Sequence, residues 1–431
     1  MSVQVRQYAF LLFWAAFSFG LTLSPALISI GQAGLALIGI LSLKSFTLSK
    51  EEKYLSILFM AFYLSSAISC LYSDDSSEAI RKLILKLPLI LFPFFIFSFK
   101  TIKNQAFWII CIFSYSIFFP AAVSVYNYFL NKQLFDILIL ESKPLPIEFG
   151  YGIYHIQFSI LLALSILIGI DYLINHYANK NIQWFTLLFL TGFNFAFIHI
   201  LSARTGLLSL YVGVALYMIL KFNRLGKKWM LLGLTSALAM LVLMITISSS
   251  LQNRIKNTAQ DLKVVWEGKD PNDYSFALRV QAWKNATKLI AKHPFGVGIG
   301  DAEKKLFEQF ATTNPQVMPE NRKNPHFQLL ESGAQSGLLS MLLFLSIFIY
   351  GCIKSGLLSM LLFLSIFIYG CISIKKQNLL KSILLLLLTA SCFESILERQ
   401  ASVAAFAVFT AMAFVFIFQK SDTQNRTSIE F

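Results

Sequence analysis

The residues of this chain that could do chemistry sit in short polar stretches between long apolar runs. Arg204 lies in Ser202-Ala203-Arg204-Thr205-Gly206, Arg279 in Ser275-Phe276-Ala277-Leu278-Arg279, and His326 in Asn324-Pro325-His326, with Glu331 five residues on. Glu394, Glu398 and Arg399 share the stretch Phe393-Glu394-Ser395-Ile396-Leu397-Glu398-Arg399, and His155 opens a further apolar run. Two arginines can grip a pyrophosphate through bidentate, charge-assisted hydrogen bonds. A histidine beside them can take the proton of an attacking hydroxyl near neutral pH, and a carboxylate can orient that histidine or the acceptor. Each residue also has a structural reading. Arg204 suits a snorkelling helix end, Arg279 a solvated loop charge, His326 a turn after proline, and His155 an interfacial histidine. Glu394 and Glu398 could pair with Arg399 or Arg204. The glycine run Gly296-Val297-Gly298-Ile299-Gly300 lacks the Lys-Ser/Thr that completes a phosphate-binding P-loop, so it reads as a turn. What raises the set above its members is that all of them fall on one side of a membrane.

That side follows from the elements between them. The 431 residues are 56% hydrophobic and only 13% charged, with 42 phenylalanines. Soluble domains carry about a quarter charged residues, so a soluble enzyme, a disordered chain and a secreted disulfide scaffold are excluded. The apolar mass divides into roughly a dozen membrane spans. Helices are expected near 8–24, 26–43, 54–72, 83–99, 106–130, 153–174, 182–200, 206–222 and 229–249, then at 327–350, 355–374, 382–393 and 402–419. The fold class is therefore all-α, a polytopic transmembrane bundle. Three regions result: 1–250 with about nine spans, a large outer loop at 251–325, and 326–431 with the C-terminal spans. No cleavable signal peptide stands out, and the five cysteines lie in apolar runs without metal-ligand spacing.

With the N-terminus in the cytoplasm, the inner turns collect Lys44, Lys50, Lys53, Lys100, Lys103, Lys180, Lys221, Arg224, Lys227 and Lys228. Basic loops stay cytoplasmic, so the net charge of +14 reports topology rather than nucleic-acid binding. The candidate residues and the 251–325 loop then face outside. One piece fits poorly: Arg81, Lys82 and Lys86 begin the fourth helix on its outer side. Within the loop, Phe276, Val280, Trp283 and Thr287–Leu289 recur at helical spacing. Outside the membrane there is no nucleotide supply, so an activated donor would be a lipid-linked diphosphate. Apart from Asp74-Asp75, no acidic cluster suited to a metal faces outward, so metal-free displacement without a cofactor is expected.

Residues 336–353 recur identically at 355–372. Identity over a whole span reads as a recent tandem duplication, or as an error in the underlying sequence, rather than the diverged self-similarity of a repeat fold. With one copy, the helix after His326 ends inside at Lys375, Lys376 and Lys381. The second copy is then a thirteenth segment that inverts the end, a hairpin at Lys354-Ser355-Gly356, or a helix that does not span.

Four stretches resemble the O-antigen ligase / O-antigen polymerase superfamily: SARTG, LRVQAWKNATKLIAKHPFGVGIGD, NPHFQLLESGAQSGLL and FESILERQASVAAFAVF. Their order and the single large loop late in the chain are also similar to that family. The resemblance implies a GT-C-type glycosyltransferase of the bacterial inner membrane with its active site facing the periplasm. Its donor would be a glycan on undecaprenyl diphosphate, its acceptor lipid A-core or another glycan, and it would need neither metal nor nucleic acid. By motif, Arg204 and Arg279 would bind the donor diphosphate and His326 would activate the acceptor. Glu331, Glu394, Glu398, Arg399 and His155 would line the same cavity. Phe327 departs from the family's pattern, which often has Asn after the histidine. A single dominant loop favours ligase over polymerase or protein glycosylation. A glycolipid or anion transporter is the rival from another class, but it would place polar groups at mid-membrane on symmetry-related broken helices.

Overall fold

Serine and proline caps cut the apolar runs into helices much as their positions dictate. Ser24 caps the Pro25–Leu41 helix through the Ala26 N–H, and Ser49 with Glu52 forms a capping box at Lys50. The structure, a computed structural model, describes residues 3–102, 105–134, 137, 154–178, 180–201, 203–222, isolated positions between 228 and 248, 249–272, 274–354 and 378–427. Helices are α1 Val3–Leu23, α2 Pro25–Leu41, α3 Lys50–Cys70, α4 Ser76–Leu85, α5 Leu87–Ile90, α6 Phe92–Lys100, α7 Ala106–Leu130, α8 His155–Asn175, α9 Ile182–Leu201 and α10 Arg204–Phe222. There follow α11 Ser249–Glu267, α12 Ser275–Lys292, α13 Ala302–Thr313, α14 Gln328–Lys354, α15 Asn378–Phe393 and α16 Gln400–Thr427. No strand occurs among the described residues. Six of these helices are long and apolar enough to cross a membrane, and further shorter apolar helices join them. The chain is a multi-pass, all-helical membrane protein. Most of the expected span at 229–249, most of 131–150 and the second copy at 355–372 lie outside the described residues.

α16 is the axis of the bundle. Every residue from Val403 to Val415 is buried, and alanines at 404, 405, 407, 411 and 413 let neighbours approach closely. Aromatic rings fill the space around it. Trp14 packs edge-on against Phe99 and Phe409 and donates its indole N–H to the Ile109 carbonyl at 2.8 Å. Buried rings that satisfy their one polar atom are the cheapest way to fill such a core.

Two breaks depart from the expected continuous helices, and both bear on the site. The span expected at 83–99 is three short helices, with Pro88 and Pro93 in the first turns of α5 and α6. Proline removes a helix hydrogen bond and clashes with the preceding turn, so the chain bends at Lys86 and carries that side chain inward. The second break is in α14, where Gly337 is non-helical at φ 81°. The carbonyls this frees are not left bare: Ala334 and Gln335 accept the N–H groups of Val297 and Gly298, and Leu338 donates to the Pro294 carbonyl. A Cβ at Gly337 would lie 2.5 Å from the Phe295 backbone. The glycine run at 296–300 is thus a turn, as expected, and its task is to dock on a broken helix.

The ends of the bundle differ in kind. Arg6 meets Ser42 and Ser45, Lys100 pairs with Glu52, and Lys221 bonds Asn175 at one end. At the other end lie the first turns of α8, α10, α14 and α16 and the last turn of α15. α12 and α13 cover that end, packing Leu278, Leu289, Leu306 and Phe310 into a second small core against Ala334.

His326, just before α14, touches Glu394, just after α15, so α14 and α15 run antiparallel. The second copy, at 355–372, lies between these two helices and outside the described residues. Deleting residues 355–373 would leave four residues to connect α14 to α15, within the usual two to eight for neighbouring helices. That deletion is expected to insert and fold as well as the full chain. Size-exclusion profiles of the two proteins in detergent check this, and an aggregated deletion variant would show that the second copy is structural.

Candidate active site

His326 sits in the one backbone position among the described non-glycine residues with positive φ, 48°. Such a conformation persists only when its surroundings hold it, and it clusters at functional sites. The holding groups are visible. Trp283 of α12 donates its indole N–H to the Pro325 carbonyl at 2.7 Å, and its ring stands edge-on to both Phe276 and Phe327. Phe327 thereby braces the histidine's turn. On the other side Gln328 accepts the Leu397 N–H at 2.7 Å, tying the start of α14 to the turn after α15.

These braces bring His326 Nδ1 to 3.3 Å from Glu394 Oε1. The glutamate is only 4% exposed, while the imidazole keeps an open side. The other carboxylate oxygen of Glu394 is buried without a hydrogen-bond partner. A carboxylate at Nδ1 fixes the ring so that Nε2 is the free lone pair, the arrangement a general base needs.

Cations surround this pair. Arg279 donates to the carbonyl of Phe393, directly before Glu394, at 3.1 Å. Arg204, opening α10, lies within electrostatic range of Arg279 and stands 3.9 Å from Asp261 of α11. Arg399 lies over the ring of Tyr154 at 4.5 Å. Among the described residues, Arg279, Lys323 and Arg399 have no carboxylate within ion-pair distance. Burial, and then the nearby Arg279 guanidinium, push the Lys323 ammonium below its ordinary value. Arg279 and Lys323 are partly removed from water while Arg399 is exposed, and unmatched positive charge held in this way attracts an anion.

Two residues at this centre were not singled out from sequence. Tyr154, next to His155, is raised above the usual tyrosine range by burial and then by the charge of Glu394, against Arg399 and Arg279. It thus lies within electrostatic range of Glu394, Arg279 and Arg399. Lys323 is the other, three residues before His326. Nothing in the spacing marked Tyr154; Lys323 stood beside a motif but carried no pattern of its own. His155 stands against Tyr154, 4.7 Å between ring centroids.

Glu331 and Glu398 belong to an adjoining network rather than to the histidine. Lys86 Nζ lies 3.4 Å from Glu398 Oε1 and donates to Gln335 Oε1 at 2.7 Å, while Gln335 donates to Glu331 at 3.0 Å. Glu394 and Glu398 therefore pair with His326 and Lys86, not with Arg399 or Arg204. The expectation of their pairing with those arginines is corrected, because the bend at Lys86 puts an ammonium where the arginines do not reach. Of the three residues that misfit the charge rule, Arg81 is exposed and pairs with Glu78, while Lys82 and Lys86 face Glu78 and Glu398. Both lysines are buried, at 6% and 1% exposed, so they are paired interior charges and not loop charges.

Residues 186–345 match the family model described as O-antigen ligase. The matched stretch runs from α9 into α14 and contains Arg204, Arg279, Lys323, His326 and Glu331, whereas Glu394, Glu398 and Arg399 lie beyond it. A search of curated proteins finds no match to this chain.

Proposed function

We propose that this member of the O-antigen ligase/polymerase superfamily transfers a glycan from a polyprenyl diphosphate, of the undecaprenyl type, to an acceptor hydroxyl at the outer face of the bacterial inner membrane. The observation that carries the reading is the His326–Glu394 pair set beside Arg279, Lys323 and Arg399, which have no carboxylate within ion-pair distance among the described residues. His326 Nε2 takes the acceptor proton, and the acceptor oxygen attacks the anomeric carbon of the first donor sugar. The bond from that carbon to the diphosphate oxygen breaks with inversion. Negative charge grows on the departing lipid diphosphate, where Arg279 and Arg204 stabilise it, with Lys323 and Arg399 adding to the field. Glu394 holds the ring and stabilises the imidazolium that forms.

Ligation to lipid A-core is the preferred outcome; polymerisation of repeat units and transfer to protein are the alternatives. Lipopolysaccharide from a strain lacking this chain is expected to run on a gel without attached glycan. A single attached unit would instead indicate a polymerase, and an unchanged ladder would overturn the reading.

A further inference from the structure

A second cavity lies beside the catalytic turn, and the mechanism makes no use of it. It is an open cleft of about 620 Å3 between α4 and α13, lined by Glu78, Glu303, Lys304, Phe307, Glu308 and Arg322, with Gly300 in its floor. That volume is within the roughly 300–1,000 Å3 of small-molecule sites. Its floor is fixed. The Asp301 carboxylate accepts the N–H groups of Asp74 and Asp75 at 2.7 and 3.1 Å, and Gly300 donates to Ser73 Oγ. A Cβ at Gly300 would lie 2.3 Å from the Asp75 carbonyl, so only glycine admits this approach of α13 to α4.

The lining has the groups that recognise sugars: carboxylates to accept hydroxyl hydrogens, an aromatic ring for an apolar sugar face, and two cationic donors. Arg322 Nε is buried with no hydrogen-bond partner, a donor still to be used. Glu78 and Glu308 are already paired with Arg81 and Lys305. The cleft thus sets carboxylates and cations side by side, unlike the cations around Arg279, and a neutral hydroxyl-bearing ligand suits it better than a diphosphate. Arg322 is four residues from His326, at most about 14 Å along an extended chain, a span that a short oligosaccharide bridges.

We infer that the cleft at Phe307, Glu303 and Arg322 is the acceptor subsite, taking a neutral or amino-sugar glycan whose terminal hydroxyl reaches His326. The inference rests on the glycan-transfer reading above, and its test separates the two. The full-length protein in detergent is titrated with chitobiose, with diglucosamine and with glucose 6-phosphate, and binding is followed by saturation-transfer NMR. Chitobiose or diglucosamine is expected to bind, and glucose 6-phosphate to bind far less. Phe307→Ala is expected to weaken binding about tenfold. Because Phe307 also packs on the second core, Glu303→Ala at an exposed position serves as the variant that does not depend on packing, and it too should weaken binding. In transfer assays both variants should raise the acceptor KM and leave kcat and the donor KM near wild type. His326→Ala should keep full sugar binding, so loss of transfer there speaks only to the mechanism. No binding of either sugar, equal binding of the phosphate, or binding indifferent to both variants would overturn the subsite.

Discussion

Replacing His326 by alanine is expected to lower glycan transfer by about 10²–10⁴-fold at saturating donor and acceptor, the range a general base contributes. Membrane insertion and folding should be untouched. The turn that carries His326 is held by groups other than its imidazole: Trp283 on the Pro325 carbonyl, Gln328 on the Leu397 N–H, and the Phe327 ring on Trp283. Alanine at φ 48° costs some backbone strain, but those braces keep the turn in place. The loss therefore reports chemistry. Initial rates in proteoliposomes loaded with a lipid-linked donor measure it, and near-normal transfer would remove His326 from the mechanism.

Glu394 gives the companion measurement. Glu394→Gln keeps the side chain's volume and an oxygen facing His326 Nδ1, but removes the charge that stabilises the imidazolium. Residues acting as a unit lose activity non-additively. The double variant should then be no slower than His326→Ala alone. If the two losses multiply, Glu394 acts apart from the histidine.

How far the sequence reached depends on which physical signal each part left. Helices betray themselves by apolar length, and the boundaries at Leu201, Phe222 and Phe393 lie within a few residues of those read from hydropathy. His326, Arg204, Arg279 and Glu394 were legible because polar residues cost free energy near a membrane and need a reason to be there. Their grouping was inferred only as a shared side; which acid meets which base depends on bends that hydropathy does not register. The prolines at 88 and 93 carried that signal, as proline in an apolar run marks a break, yet the run reads as one span by composition. Gly337 was harder, because a single glycine in an apolar helix is tolerated and only its contact with residues 294–298, about forty positions away, makes it a break. Tyr154 left no trace at all: an aromatic at the edge of a span is ordinary, and its place among Glu394, Arg279 and Arg399 is a tertiary fact.

The misfit that sequence did expose, Lys86 on the outer side, leads to the largest expected effect on stability. Lys86→Met is expected to destabilise the protein by about 3–5 kcal/mol, the usual result of removing one partner of a buried ion pair. Lys86 is 1% exposed, and it is the ammonium that faces Glu398 at 3.4 Å and Gln335 at 2.7 Å. Lys82 remains nearby but lies toward Glu78, 3.9 Å away. Methionine fills much of the same space, so the loss is electrostatic: Glu398, 17% exposed, and Glu331, 4% exposed, face each other without their nearest counter-ion. Removing the charge on both sides, as Lys86→Met with Glu398→Gln, should recover most of the loss, because a buried pair is worth little more than a neutral replacement. The monomer peak that survives graded heating in detergent measures both. The pH dependence has a definite sign. Burial alone would raise Glu398, but Lys86 and then Lys82 outweigh it and hold the carboxyl below its ordinary value. A lowered carboxylate contributes stability above its unfolded pKa, about 4.3 for glutamate, and that contribution is lost as pH falls through the folded value. In Lys86→Met the chief depressing charge is gone, Glu398 takes up its proton at higher pH, and the buried charge is relieved. The deficit of the variant should therefore shrink on acidification. A deficit that stays constant with pH would assign the loss to packing of the lysine stem instead of to the ion pair.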